Sequence, residues 1–545
     1  MRMRLLIPAL LLALPAPAVQ HAALPAALPA LQSSRKLDAA LAAVRPDSIR
    51  ADLYFLASDA LAGRDTPSPE LHIAANYLRN RVQRLGFQPG AEGGWFHEYP
   101  LHQRWFDGAA SNLTARKGDA ELVFEFGSDY YFQLESGARH LDLSGGVVCV
   151  DEADEDELAE LELEGKWALI LDTARTIKKK IKLCGEAGAA GVLVTPGPRY
   201  KRDSYAERYQ NRADKILTPS TPRLNQRRSR DEPATPVVML TRDAAARLFR
   251  FAGVALEDEY PALGAALDVE LGETRRVIDE QVPVNNVCAF WPGSDPELSK
   301  EVMIVSAHYD HVGTNKAGEI NNGADDNASG TCGVLAIADA LAAHGPMRRS
   351  VLLIWVSGEE KGLWGSEVWT KDPWLPEDCV PVLDFNIDMI GRTGPDELYI
   401  TPSRDHEAYN GVAERAYALA PLEGFAELQG QDEYWRRSDH MNFNDNLGIP
   451  VAFLSTGNHP DYHKPTDTPD KIEYEKASRV VRVFVRLLDD LQSAPLEALA
   501  VREAPEPAAD PEAPAEEEIE EEEVEEVEEE VIEEEEPAGS SGGDE

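Results

Sequence analysis

The sequence predicts an α/β fold: a mostly parallel central sheet flanked by helices, with a smaller α/β unit inserted into it. Three observations carry that prediction. Strong apolar runs recur after residue 283, at 287–290, 302–307, 351–356, 382–387 and 451–454. Continuous apolar runs of this kind suit strands buried on both faces, as in a parallel sheet covered by helices. A helical pattern at 331–343, with Ser329 as its expected N-cap and Gly345-Pro346 as its stop, separates the second run from the third. Between 130 and 270 a second alternation of β-runs with helical segments repeats the theme.

The elements follow in order. Residues 37–44 read as a short helix. Residues 48–61 form an amphipathic one, with Ile49, Leu53 and Leu56 on one face, and a third helix runs from Pro69 to a stop at Gly86. A strand-like run at 121–126 comes next. The second unit then holds β-runs at 146–150, 167–171, 191–194 and 236–240, with helices at 177–189 and 242–252 and a polar, Arg-rich stretch at 199–230. The strong runs from 283 onward build the main sheet, and an amphipathic helix at 474–491 closes it. The chain therefore divides into 1–18, 19–34, 35–129, 130–270, 271–495 and 496–545. No internal repeat is present.

Composition narrows the function classes. The chain has 545 residues and a formal net charge of −44. Such a polyanion does not suit phosphate-backbone binding to nucleic acid or docking on anionic lipid. Hydrophobic residues make up 43 %, and 9 Trp, 16 Tyr and 15 Phe are spread along most of the chain, which excludes wholesale disorder. Residues 501–545 hold 22 acidic side chains against Arg502 alone, about half of the excess charge. Their Glu runs repel one another, so 496–545 reads as a solvated, disordered tail.

The N-terminus reads as a signal peptide, 1–18. Arg2 and Arg4 precede a short apolar stretch at 5–14, and Ala16-Pro17-Ala18 forms a small-x-small cleavage site. An Ala/Pro-rich linker, 19–34, follows. The expectation is an exported protein, periplasmic or extracellular, with no membrane insertion after cleavage. Cys149, Cys184, Cys288, Cys332 and Cys379 are isolated and show no CxxC spacing. They read mostly as buried thiols, and an oxidising compartment would allow one disulfide.

In an open α/β sheet, functional groups gather beyond the carboxyl ends of the strands. After 302–307 come His308-Tyr309-Asp310-His311, and a little later Gly323-Ala324-Asp325-Asp326-Asn327-Ala328-Ser329-Gly330. After 351–356 come Gly358-Glu359-Glu360, after 382–387 come Asp388-Met389, and after 451–454 comes the 462–468 stretch with His463. This mixture of imidazole nitrogen and carboxylate oxygen is what zinc-type cations accept. So many carboxylates at one sheet edge would be costly unless cations neutralised them.

These segments resemble the zinc aminopeptidases and related exopeptidases of the M28 metallopeptidase family. The resemblance rests on Ser306-Ala307-His308-Tyr309-Asp310, the 323–330 stretch, Gly358-Glu359-Glu360-Lys361-Gly362-Leu363-Trp364-Gly365-Ser366, Asn386-Ile387-Asp388-Met389 and Tyr462-His463-Lys464-Pro465-Thr466-Asp467-Thr468. It spans 283–495, and more weakly 36–120, where Leu61-Ala62-Gly63-Arg64 looks like the family's early Gly-Arg turn. The 130–270 unit is similar to a protease-associated domain, through Gly165-Lys166-Trp167 and the small residues between Lys182 and Gly191. The resemblance implies the zinc exopeptidase fold and two Zn2+ per chain. Asp325 would bridge the metals, with His308 and Asp388 completing one site and Glu360 and His463 the other. Asp310 would orient the His308 ring, and Asp326 would support the ligands from outside. The peptide bond between Asp325 and Asp326 would be cis. Glu359 would be the general base acting on a metal-bound hydroxide. Either Tyr434 or Tyr462 would donate to the oxyanion, and His440 would contact the substrate.

The implied function is a secreted aminopeptidase that removes N-terminal residues from peptides or proteins. A carboxypeptidase or dipeptidase on the same scaffold is the alternative, because Arg436 and Arg437 could hold a substrate carboxylate. A glutaminyl cyclase is disfavoured by the full set of five ligands, and an inactive receptor-like protein by the presence of every ligand and the base. The sequence leaves open the side-chain preference, the oligomeric state and the role of the inserted unit.

Overall fold

The computed structural model describes residues 34–132, 140–151, 154–171, 177–196, 213–224, 235–254 and 261–500. The predicted signal segment and linker up to residue 33, most of the Arg-rich stretch and the tail beyond residue 500 lie outside these.

The main sheet has ten strands. In spatial order they are Gln429–Gly430, Tyr399–Thr401, Val451–Ser455, Val380–Ile387, Glu301–His308, Ser350–Val356, Val277–Trp291, Phe96–Phe106 and Arg223–Leu224, with Gln88–Pro89 added beside Val277–Trp291. The four central strands, from Val451–Ser455 to Ser350–Val356, are parallel, as the apolar runs predict. Parallel order ends there: the strand containing the 287–290 run lies antiparallel to Ser350–Val356, and its long N-terminal arm pairs antiparallel with Phe96–Phe106.

Both faces of the centre are apolar. Met303, Val305 and Ala307 enter one core while Val302 and Ile304 enter the other, the alternation that a period of two imposes. Helices Arg35–Ala43, Pro46–Leu56, Pro69–Leu85, Gly330–His344, Gly411–Leu419 and Tyr474–Leu491 cover the first face. Helices Trp364–Lys371 and His440–Leu447 cover the second, through Trp369 and Phe443. Gly86 closes Pro69–Leu85 at φ 93°, a left-handed cap that glycine adopts without steric cost.

The predicted Ser329 cap does not form. Asn327 Oδ1 instead accepts from Gly330 N (2.9 Å), and Ser329 Oγ turns back to donate to Asp325 O (2.7 Å). The preceding turn, Ala324–Ser329, runs directly into the helix, so position 329 is already helical.

The inserted unit is an eight-stranded sheet ordered Ala120–Phe124, Asn112–Lys117, Ala266–Arg275, Leu141–Asp151, Trp167–Leu171, Gly191–Thr195, Val237–Leu240 and Tyr130–Tyr131. Its strand membership spans 112–275 rather than 130–270. Asn112–Lys117 pairs with Ala266–Arg275 across about 150 residues, a partnership that no local pattern announces. All five cysteines are free thiols, four of them buried. No helix among the described residues is long and apolar enough to cross a membrane.

Candidate metal centre

The four parallel strands end on the same side, and their exits carry the polar groups. Glu301–His308 ends in His308 itself, Ser350–Val356 leads to Glu359 and Glu360, and Val380–Ile387 leads to Asp388. The buried Arg64 ties the loops together. Its guanidinium donates to the carbonyls of Tyr309 (2.9 Å), Asn322 (2.8 Å) and Gly323 (3.0 Å), so one side chain spans both ligand-bearing loops that follow the 301–308 strand.

Two donor groups result. His311, Asp326, Glu360 and His463 form one, and His308, Glu359 and Asp388 the other. Asp326 joins them. Its Oδ1 lies 3.5 Å from His308 Nε2, while its Oδ2 lies 3.1 Å from His463 Nε2 and 3.6 Å from His311 Nδ1. His308 Nε2 is also 3.3 Å from Asp388 Oδ1, and His463 Nε2 is 3.0 Å from Glu360 Oε2. Donors about 2.0 Å from a tetrahedral zinc are separated by about 3.3 Å, which these distances match. Asp326 Oδ2 is buried without a hydrogen bond despite the imidazole 3.1 Å away. The residues therefore fit a pair of divalent cations sharing one carboxylate.

This corrects the sequence reading by one residue. Asp326, not Asp325, stands between the two groups, and the cis peptide follows it, at Asp326-Asn327. Asp325 faces the other way. Its Oδ1 accepts from Gly391 N (2.6 Å) and its Oδ2 lies 3.4 Å from His459 Nε2. Asp467 accepts from the amides of both Asp325 (3.0 Å) and Asp326 (3.2 Å). Asp325 and Asp467 thus join the 326 turn to the loops that carry Asp388 and His463.

The supporting contacts are specific. Asp310 accepts from the Thr66 hydroxyl (3.0 Å) and from the Glu359 amide (3.3 Å), and its Oδ1 lies 3.7 Å from His308 Nδ1. Ser438 Oγ donates to Asp388 Oδ2 (2.9 Å) and accepts from Asn386 Nδ2 (2.7 Å).

Burial and mutual charge set the titration of the cluster. Burial, joined by the neighbouring Glu360, Asp439 and Asp388, holds the Glu359 carboxyl well above the usual range against the pull of His308. Burial would also raise Glu360, but His311 and His463 overcome it and take that carboxyl below its ordinary value. Burial opposes protonation of His463, yet Asp326 and Glu360 lift it to about 10. These are the electrostatics of a donor set that cations neutralise.

The cavity over the cluster is lined by His308, Asp326, Glu359 and Asp388, and also by Tyr434, Arg437 and Tyr462. Both tyrosines named from sequence therefore face the site. Tyr462 stacks on the His463 ring (centroids 3.8 Å), and Arg437 lies over the Tyr434 ring (5.1 Å). His440 is not among the lining residues. It stacks on Phe453 (4.9 Å), and burial lowers its pKa to about 3, so it is a neutral imidazole. The functional residue missed from sequence is His311, whose Nδ1 lies 2.7 Å from Glu360 Oε1. It stands three residues beyond His308, and only the Arg64-held turn brings it back.

Two stretches of the chain match known families. Residues 286–488 match the family model described as Peptidase family M28, and residues 143–248 match that of the PA domain. A probable leucine aminopeptidase of Arthroderma otae is 28 % identical over 213 residues, covering 37 % of this chain and 57 % of the relative. The chain thus spans little more than half the length of that relative. The uncharacterized protein YfbL of Escherichia coli (strain K12) is 27 % identical over 255 residues, covering 41 % of this chain and 77 % of YfbL. Among solved structures, the aminopeptidase from Aneurinibacillus sp. strain AM-1 superposes with a TM-score of 0.42 at 20 % identity, over 87 % of this chain and 98 % of the other.

Proposed function

We propose that the chain, whose residues 286–488 match peptidase family M28, is an exported dinuclear zinc exopeptidase, most simply an aminopeptidase acting on peptides. One observation carries the reading: Asp326 of one donor group also reaches His308 of the other (3.5 Å), and it opens with Glu359 onto one cavity. His308, Asp388 and Asp326 would hold one cation, and Glu360, His463 and Asp326 the other. When bound, the cations would acidify a shared water and polarise the scissile carbonyl.

The protein's own groups do the rest. Glu359 takes the proton of the water at its carboxylate and returns it to the leaving amine. A carboxyl raised by burial suits a group that must both accept and surrender a proton near neutral pH. The Tyr434 or the Tyr462 hydroxyl, both on the cavity wall, donates to the developing oxyanion. Asp310 fixes the His308 ring and the Glu359 loop together.

Purified protein is to be assayed on aminoacyl-nitroanilides with and without chelator, beside Glu359→Ala. Turnover that survives both would overturn the mechanism. Tyr434→Phe and Tyr462→Phe, measured in parallel, assign the oxyanion donor by which one lowers kcat with little change in KM. A carboxypeptidase or dipeptidase reading is favoured by one feature, the Arg437 guanidinium on the cavity wall. An aminopeptidase rejects an N-acylated substrate, whereas a carboxypeptidase accepts it and needs a free α-carboxylate. Export rests on the Arg2, Arg4, 5–14 and Ala16-Pro17-Ala18 pattern. N-terminal sequencing of the fractionated protein is expected to begin at Val19.

A further inference from the structure

We propose that His311 is a fourth protein ligand, so that the two metal positions are unequal: one held by four side chains, the other by three. The inference rests on the zinc reading above and goes beyond it.

The geometry around His311 repeats that of His463. His463 Nε2 faces Glu360 Oε2 (3.0 Å) and Asp326 Oδ2 (3.1 Å). His311 Nδ1 faces the other oxygen of the same glutamate, Glu360 Oε1 (2.7 Å), and the same Asp326 Oδ2 (3.6 Å). Two imidazole nitrogens paired against the same two carboxylates surround a single point, as four donors of a tetrahedral zinc do. The two rings meet edge to face, with centroids 5.6 Å apart.

His311 is also held in place. It is fully buried, and its amide donates to Arg64 O (3.2 Å). Its ring packs on the backbone of Gly323, where an added Cβ would come within 2.5 Å of the ring carbons. Gly323 itself has φ +58°. A side chain at 323 would thus both strain the turn and displace the imidazole.

The cavity supplies an independent observation. It is lined by His308, Asp326, Glu359 and Asp388, but not by His311, Glu360 or His463. The three-ligand position therefore borders this cavity directly, while the four-ligand one meets solvent through the half-exposed His463. Zinc sites with four protein ligands are characteristically structural, and those with three keep a coordination position for water or substrate. The four-ligand position would fill first and anchor the Asp326 turn, and the three-ligand one would meet the scissile carbonyl.

The test counts imidazoles. Metal-free full-length protein is loaded with one equivalent of zinc, and its X-ray absorption fine structure is recorded, with competition against a chromophoric chelator giving the affinities. Two imidazoles per zinc are expected in the wild type and one in His311→Ala, whose tighter binding step should weaken by roughly 100-fold. The wild-type count does not depend on how well the variant folds, and His311→Asn provides a second variant. One imidazole per zinc in a wild type with chelator-sensitive hydrolysis overturns the proposal and leaves the peptidase reading standing. Two imidazoles in a protein that hydrolyses no peptide supports the ligand set and overturns the peptidase reading instead.

Discussion

The two sheets are built by the same rule and end differently. Each has a parallel centre with apolar cores on both faces: Val147, Trp167 and Leu169 enter one core of the inserted sheet, and Val148, Ala168 and Ile170 the other. In the main sheet the polar groups stay buried to the strand ends and are chained to one another, from Ser306 through Asn386 and Ser438 to Asp388. Among the described residues, the groups of metal donors lie entirely on the main sheet. Parallel topology offers a place for a site; buried, mutually bonded polar side chains make one there.

The largest effect expected from that contrast lies in the 326 turn. Asp326→Asn removes the carboxylate that reaches both donor groups and should lower kcat/KM by about 10^4-fold or more, with metal content falling to one ion or none. Asp325→Asn keeps the donors and loosens only their support, so a loss of about 10-fold is expected. Metal analysis and kinetics on the pair decide between the neighbours. The reverse ranking would restore Asp325 as the bridge. In the inserted sheet the comparable blow is structural. Trp167 is fully buried and its indole N–H donates to Leu271 O (3.1 Å). Trp167→Ala should destabilise that unit by about 3–5 kcal/mol. Calorimetry should show one transition moving down while kcat on a small nitroanilide stays within about twofold. A single transition that carries activity down with it would show that the sheets do not behave separately.

How much of this was legible depended on whether the signal was local. The helix 69–85 with its Gly86 stop, the helix 242–252 and the four parallel runs follow from periodicity and caps, which a short window contains. The exits bearing His308, Glu359, Glu360, Asp388 and His463 were readable because a strand end fixes where the next residues go. Asp325 and Asp326 were not separable, since adjacent acids on a turn point in opposite directions and only the contacts with Gly391, His308 and His463 reveal which is which. His311 was named at a strand exit but given no role, because its return to the cluster depends on Arg64, about 250 residues away. The limits of the inserted sheet failed for the same reason, set by pairing between residues 112–117 and 270–274.

A smaller, pH-dependent effect tests the neutral His440 beneath the cavity wall. Burial holds its folded pKa at about 3, against about 6.5 in an unfolded chain. Between those values the unfolded state binds a proton that the folded state refuses, so stability rises with pH across the interval and levels off above 6.5. At pH 5 the cost is about 2 kcal/mol relative to pH 8. Denaturant titrations at the two pH values should show this loss in the wild type and its reduction in His440→Phe. An identical pH slope in both proteins would mean that the imidazole is charged in the folded state.

The finest test asks whether the inserted sheet can be removed without touching the chemistry. Phe96–Phe106 and Val277–Trp291 pair in unbroken register from Phe96↔Val287 to Phe106↔Val277. The insert therefore leaves and re-enters the main sheet at two directly opposed residues. Replacing 107–276 with an Asn-Gly turn closes the pair as a two-residue hairpin, whose twist suits antiparallel strands. The excision also removes Arg223–Leu224, which pairs with Leu101 and His102; Leu101 is buried, so a charge at the partly exposed position 103 is needed to guard the new edge against self-association. No residue of the insert lines the described cavity. Turnover of a small nitroanilide should then stay within a few-fold of the full chain, while selectivity between short and long peptides changes. Unchanged selectivity would reduce the insert to a passenger. Lost turnover in a folded, zinc-loaded protein would mean that the second sheet acts on the first through the long antiparallel arm that joins them.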